Sequence, residues 1–159
     1  MLRRFFIAIA VLAASACSPT VETDEEQVRQ AVTELVQRWS DAGEAGDWDA
    51  VADTYAEADG FVWIEQGEAR YTSRNAIVEG LNQARAMSAS IRNDVSDIVV
   101  TPLGDDAAAF RAHYLLNLSA EGFSFASEGV LSGVAIRQGD AWRFLQGSFS
   151  EQPPSPSAD

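Results

Sequence analysis

Two segments decide the fold: Gly-Asp-Trp-Asp-Ala-Val-Ala-Asp-Thr-Tyr at residues 46–55 and Phe-Val-Trp-Ile-Glu-Gln-Gly at residues 61–67. The first predicts a short helix capped by Asp47, because a carboxylate accepts hydrogen bonds from the unpaired N–H groups of a first turn. The second predicts a compact apolar strand at residues 61–64, followed after a turn by an extended piece at residues 69–71. This helix–strand unit indicates the fold clearly and the chemistry hardly at all.

A longer helix is predicted before this unit and a further helix after it. Thr23 and Glu26 form a capping-box pattern, and apolar residues follow at helical spacing. They are Val28, Val32, Leu35, Val36 and Trp39. The first helix is expected to end near Gly43 or Gly46. Either Thr72 or Ser73 is expected to cap the later helix, which fades around residue 86.

The second half of the chain changes to the period of strands. Strands are predicted at residues 91–103, 107–118, 123–137 and 141–149, and glycine and aspartate at the junctions predict an antiparallel meander. A four-residue turn at 119–122 pairs Leu118 with Phe123, Leu116 with Phe125 and Tyr114 with Ser127, which places His113 opposite Glu128. Glycines at 129, 133 and 147 are expected to bend the sheet.

This order of elements resembles the nuclear transport factor 2-like superfamily, and within it the SnoaL-like and ketosteroid-isomerase-like group. The resemblance rests on Trp39, Gly46-Asp47-Trp48, Tyr55, Phe61-Val62-Trp63, Gly67, Asn75-Ala76-Ile77 and Gly139-Asp140-Ala141-Trp142-Arg143-Phe144. It implies an α+β, cone-shaped fold with N-terminal helices packed on a strongly curved antiparallel sheet. It also implies a pocket between the layers, and dimerisation through the sheet is common in the family.

The N-terminus predicts export. Two arginines precede an apolar run at residues 5–14, and Ala-Ser-Ala-Cys at residues 14–17 resembles a bacterial lipobox. Cleavage before Cys17 and lipidation of this lone cysteine predict a membrane-anchored lipoprotein of the cell envelope, held in the membrane only through its lipid. An ordinary cleaved signal is the alternative. The predicted organisation is a signal peptide (1–16), a tether (17–22), one domain (23–150) and a disordered tail (151–159).

Composition removes several classes of function. The net charge of −13 disfavours nucleic acid as a partner. All basic residues are arginines, which excludes lysine chemistry, and one histidine and one cysteine exclude multi-histidine and thiolate metal sites. No phosphate-binding glycine motif is present, and no cofactor or metal is predicted.

His113 and Glu128, with Arg111 nearby, form the best acid–base candidate in the sequence. A histidine titrates near neutrality, and a neighbouring carboxylate would favour its charged form. The alternatives are a charge cluster on a solvated sheet face and a polar patch at a dimer interface. Alternation places His113 on one face with Leu115, Val134, Trp142 and Phe144. The general-base position of ketosteroid isomerases falls on Trp63 or Ile64, with Glu65 expected in the turn.

Several side chains are candidates for a ligand pocket. Aromatic walls come from Trp39, Tyr55, Trp63 and Trp142, and polar groups that could orient a ligand from His113, Asn117, Gln146 and Ser148. Plain core packing is the alternative for the aromatics. The favoured function is binding of a small apolar or amphipathic molecule, or of a protein partner, without chemistry. The rival is an isomerase, dehydratase or cyclase that transfers protons at His113.

A homodimer is predicted from the second sheet face. That face carries Phe110, Tyr114, Leu116, Leu131, Leu145 and Phe149. If the helices cover the His113 face, this apolar face is exposed in a monomer, and exposed patches of that kind commonly have partners.

Overall fold

The computed structural model describes residues 22–87 and 90–151. The predicted signal peptide, Cys17 and residues 152–159 lie outside the described residues. Within them the elements are α1 (Glu22–Ala45), α2 (Trp48–Ala52), β1 (Val62–Glu65), β2 (Glu68–Tyr71), α3 (Arg74–Ala86), β3 (Ser90–Pro102), β4 (Ala107–Ala120), β5 (Phe123–Gln138) and β6 (Ala141–Glu151). No helix in these ranges combines the length and the apolar character needed to cross a membrane.

Local sequence signals account for the helices. The Asp47 carboxylate accepts a hydrogen bond from the backbone N–H of Ala50 at 3.0 Å and caps α2. Ser73, and not Thr72, caps α3 by accepting from the N–H of Ala76 at 3.2 Å. The predicted apolar stripe of α1 is buried along its whole length: Val28, Val32, Leu35, Val36 and Trp39.

The six strands form one curved, unclosed sheet in the order β2-β1-β6-β5-β4-β3. The α+β architecture with N-terminal helices on a curved sheet is therefore confirmed. The sheet is mixed and not wholly antiparallel, because β1 pairs with β6 in parallel. The chain reaches β1 from α2 and runs along the free edge of the meander in the same direction as β6.

The predicted register of β4 and β5 is wrong by two residues. The turn holds only Glu121 and Gly122, and Ala120 pairs with Phe123. Gly122 has a φ of 75°, a left-handed conformation that suits glycine and permits this tight turn. His113 therefore lies opposite Val130, and Glu128 is its diagonal neighbour. A slip of two residues preserves alternation, so the two faces of this hairpin keep their predicted members.

The helices do not cover the His113 face, which was the condition for the homodimer prediction. The helices cover the inner face, on which Phe110, Tyr114 and Leu131 are at most 4% exposed. His113, Leu115 and Val130 lie on the opposite, outer face, where Leu115 is 37% and Val130 40% exposed. The surface from which the homodimer was predicted is thus the inner surface of the domain. A homodimer stays a prediction, and the outer face is the part of the described sheet that could support it.

Phe144 also changes face, because β6 contains an extra residue. The pairing shifts between Val134 and Ala135 of β5, so that Val134 pairs with Gln146 and Ala135 with Phe144. Phe144 and Phe149 are an odd number of residues apart, yet both contact Trp63, at ring-centroid distances of 5.7 and 5.8 Å. The bulge therefore adds a second large aromatic ring to the inner face.

Candidate functional site

A cavity of about 470 Å³ lies between the helices and the inner face of the sheet. Its walls are mainly apolar and come from every layer of the fold. They include Trp48 and Val51 of α2, Ile77 and Leu81 of α3, and Leu116 and Leu118 of β4. The bent sheet holds its far strands away from α3, so this part of the inner face is not filled by side chains.

Aromatic rings form one wall of the cavity. The Trp39 indole Nε1–H donates to the Tyr55 hydroxyl at 2.9 Å, and the ring of Tyr55 stands edge-on to Trp63 with centroids 5.1 Å apart. Burial raises the pKa of the Tyr55 hydroxyl far above its ordinary value, so this group stays protonated at physiological pH. The wall is therefore neutral, rigid and able to donate one proton in a hydrogen bond.

Glu65 and Arg70 stand at the mouth of the cavity. Glu65 ends β1, its side chain is 34% exposed, and its Oε2 lies 3.4 Å from Nε of Arg70. Burial raises the pKa of the Glu65 carboxyl above its ordinary value, and the nearby Arg70 guanidinium offsets part of this effect. The sequence predicts Glu65 in the turn after the strand, whereas in the structure it is the last residue of β1.

We expect Glu65 to titrate above an ordinary glutamate, and Arg70→Ala to raise its pKa further by removing the opposing charge. Carbon-13 NMR of the side-chain carboxyl measures this pKa. Arg85→Ala is the matched control, because Arg85 pairs with Asp49 instead. A Glu65 pKa at the ordinary value, or one that ignores Arg70→Ala, would contradict the assignment.

The same shift predicts the pH dependence of stability. The folded chain holds the Glu65 proton more tightly than the unfolded chain, so protonation of Glu65 stabilises the fold. This stabilisation is fully present below the ordinary glutamate pKa of about 4.3. It is lost as the pH rises through the folded-state pKa. Glu65→Gln should therefore gain stability relative to the unchanged chain as the pH rises through this window, which urea unfolding at several pH values measures.

A band of polar side chains crosses the otherwise apolar inner face on three neighbouring strands. Asn93 of β3, Tyr114 of β4 and Ser127 of β5 all line the cavity. The Tyr114 and Ser127 hydroxyls lie 2.8 Å apart and share a hydrogen bond. Burial also raises the pKa of Tyr114, so this hydroxyl is uncharged. The sequence carries the signal for Asn93, a single polar residue between Ile91 and Val95 on the inward side of β3.

Only some of the predicted site residues line the cavity. Trp39, Tyr55 and Trp63 line the cavity. His113 and Glu128 contact each other at 3.6 Å on the outer face, where their side chains are 41% and 53% exposed. The remaining predicted pocket residues are not among those that line the cavity: Asn117, Trp142, Gln146 and Ser148.

Physical reasons explain why these residues lie elsewhere. Asn117 and Ser148 alternate with inward-facing neighbours and so lie on the outer face. Gln146 is exposed, and its amide donates to the backbone oxygen of Gly60 at 3.3 Å. Trp142 is half-buried against the edge of the core. Among the described residues, no group of three or more histidine, cysteine, aspartate and glutamate side chains is placed to hold a metal ion.

Solved structures with the same fold cover most of the chain. LinA is 16% identical with a TM-score of 0.69, covering 86% of this chain and 94% of its own. A candidate scytalone dehydratase from Novosphingobium aromaticivorans is 13% identical with a TM-score of 0.70, covering 78% and 83%. A nuclear transport factor 2-like superfamily protein from Salmonella enterica is 14% identical with a TM-score of 0.69, covering 84% and 97%.

At these identities the structural neighbours establish the fold alone. No curated protein matches the sequence. The model of the SnoaL-like domain matches residues 24–146, which include all three helices and the sheet as far as β6. The match spans more than half of the chain and contains every residue of the aromatic wall. The chain therefore belongs to the SnoaL-like domain family.

Proposed function

We propose that this chain binds a small, largely apolar molecule in the cavity between its helices and the inner sheet face. The observation that carries the proposal is the unfilled space of about 470 Å³, within the range of ligand sites in proteins. Side chains such as Leu81, Leu116 and Leu118 line this space and remain partly exposed. A ligand that covers them removes apolar surface from water, which stabilises the complex by about 25 cal/mol per Å².

Charge indicates which ligands the cavity accepts. The charged residues of its lining are Glu65, Arg70 and Glu151, two carboxylates against one guanidinium. The whole chain carries a net charge of −13, so the field around the mouth repels anions. These charges favour uncharged ligands over fatty acids and other carboxylates.

A thermal-shift screen of the full-length chain tests the proposal with sterol-like, aromatic and fatty compounds. We expect uncharged cyclic compounds to raise Tm in a concentration-dependent way, because a ligand that binds only the folded state stabilises it. His113→Ala is the control on the outer face and should leave the shift unchanged. If no compound raises Tm, the cavity is not a binding site for molecules of this kind.

One observation favours a second candidate function, an enzyme of the isomerase, dehydratase or cyclase kind. Glu65 is a carboxyl of raised pKa beside Arg70 at the cavity mouth, and such groups often act as general acids or bases. This candidate takes its base from the cavity and not from His113. One structural neighbour, the candidate scytalone dehydratase, is in keeping with it.

Proton exchange on a carbon acid distinguishes the two functions. 2-Tetralone in deuterated water exchanges the protons next to its carbonyl when a base removes them, and NMR follows the loss. Exchange that is catalysed by the chain, lost in Glu65→Gln and kept in His113→Ala supports the enzyme. Binding of the ketone without faster exchange supports a binding domain.

Export and lipid anchoring belong to the same proposal. They rest on the charged start, the apolar run at residues 5–14 and the single cysteine at the lipobox position. We expect the mature chain to begin at Cys17 and to carry a lipid there, and intact-mass analysis of membrane-extracted protein measures this. A mature chain that is cut elsewhere, or that has an unmodified Cys17, would contradict the anchor and leave the binding proposal standing.

A further inference from the structure

The side chain of Asn93 contains a buried hydrogen-bond acceptor that has no partner in the described part of the chain. The residue is 2% exposed, and its Oδ1 has no hydrogen-bond partner within residues 22–87 and 90–151. A buried polar atom left without a partner is destabilising, because it has lost its hydrogen bonds to water and gained none in the protein. Asn93 is also one of the residues that line the cavity.

The fold fixes Asn93 from two sides. Its backbone pairs with Leu116 in the ladder between β3 and β4. The Ser40 hydroxyl of α1 donates to the backbone oxygen of Asn93, and Ser40 is itself buried. The amide therefore stands on a rigid backbone, held between a helix and a strand, and does not depend on a loop for its position. Such support is what a specific recognition group needs.

Two hydroxyls share the inner face with Asn93, on the next two strands. Tyr114 is its diagonal neighbour across the β3–β4 ladder, and Ser127 bonds to Tyr114 at 2.8 Å. Each hydroxyl can donate one hydrogen bond and accept two, so the pair keeps free capacity after bonding to each other. Asn93, Tyr114 and Ser127 thus offer hydrogen-bond acceptors and donors along one band of the cavity wall.

The unpaired oxygen of Asn93 favours a ligand that carries a hydroxyl group. A hydroxyl can donate to Oδ1 of Asn93, whereas a carboxylate or a ketone has no proton to donate. An ammonium group would have to be buried among apolar walls at a large cost. Glu65 is four strands away across the sheet, whereas the carboxylate of Glu151 lines the cavity near Tyr114 and further disfavours an anionic ligand group.

Resting on the proposed binding function, we propose that Asn93, with the Tyr114–Ser127 hydroxyl pair, is the polar recognition point of the cavity. It selects uncharged, largely apolar ligands that carry a hydroxyl group. The rest of the cavity supplies affinity through apolar contact, and Asn93 supplies the preference between ligands of similar shape.

Calorimetric titration of the full-length chain with 2-naphthol and with naphthalene tests this preference. We expect 2-naphthol to bind about tenfold more tightly, the effect of one satisfied buried hydrogen bond. Asn93→Leu, which has a similarly branched side chain and no polar atom, should reduce the preference to about twofold or less and keep naphthalene binding. Asn117→Leu is the matched control on the outer face of β4 and should keep the tenfold preference.

The outcomes separate this inference from the proposed function. If neither probe binds the unchanged chain, both are wrong. Naphthalene binding with no tighter binding of 2-naphthol would mean that the cavity binds ligands without a preference for a hydroxyl group. A preference that survives Asn93→Leu would mean that Asn93 does not recognise the hydroxyl group. Asn93→Ala gives the same readout with a smaller side chain if leucine prevents folding.

Discussion

Gly147→Ala is expected to lower Tm by about 10 °C, which corresponds to a loss of about 3 kcal/mol in the free energy of unfolding. A Cβ atom at Gly147 would lie 2.5 Å from Cε3 of the Trp63 ring, closer than any relaxed contact. Trp63 is 1% exposed, and the rings of Tyr55 and Phe144 hold it at centroid distances of 5.1 and 5.7 Å. The ring can therefore move away from the added methyl group only by breaking its packing against these two rings.

Gly43→Ala is the matched control, because the same added methyl meets no atom within 4 Å there. Gly43 lies inside α1, where alanine is favoured over glycine by about 0.5–1 kcal/mol, so this change should raise Tm. Trp63→Leu combined with Gly147→Ala should lose less stability than the sum of the two single changes. A Gly147→Ala variant as stable as the unchanged chain would show that Trp63 does not press on β6.

Leu116→Trp is expected to weaken binding of 2-naphthol by at least about 100-fold, or about 2.7 kcal/mol, while the domain stays folded. Leu116 lines the cavity from the inner face of β4, and tryptophan is accepted in strands. The larger ring would occupy the volume that the ligand needs. Calorimetric titration measures the affinity, and circular dichroism measures the fold.

Leu115→Trp is the matched control, because it makes the same substitution at the neighbouring position. Leu115 is the preceding residue of the same type on the same strand, but it is 37% exposed on the outer face. This change should leave the affinity unaltered. Equal weakening by both changes would mean that tryptophan disturbs β4 itself, and no weakening by Leu116→Trp would place the ligand outside the cavity.

The elements and their caps could be predicted because their causes are local. Asp47 and Ser73 each bond to an N–H group three residues later, a geometry written in a few consecutive residues. The buried stripe of α1 follows from helical spacing alone. The order of elements then sufficed for the family resemblance, which the match of the SnoaL-like model at residues 24–146 confirms.

The inner face could not be predicted because both faces of the meander carry apolar residues. Leu115 and Val130 on one face compete with Tyr114 and Leu131 on the other, and alternation does not say which pair the helices cover. The only histidine, His113, was predicted as the acid–base centre, but it lies on the outer face and not on the face that lines the cavity. The bulge in β6 then reversed the expected direction of Phe144, and its place depends on pairing with β5, not on local sequence.

The cavity itself depends on distances between layers, which sequence patterns do not contain. Trp39, Tyr55 and Trp63 were predicted as pocket residues, and all three line the cavity. Their use as ligand contacts stays a prediction. Asn93 could not be singled out, because one polar residue at an alternate position between Ile91 and Val95 is no functional motif. Its unpaired oxygen is apparent only when α1 and β4 surround it.

Methyl NMR of the full-length chain tests the central claim, that this domain binds its ligand between the helices and the inner sheet face. The sample carries carbon-13 methyl groups on isoleucine, leucine and valine and is titrated with 2-naphthol. The account predicts saturable shifts for Ile77, Leu81 and Leu116, which line the cavity, and none for Val99, Leu115 and Val130, which are exposed away from it. Shifts confined to that second group, or no shifts at any methyl, would contradict it.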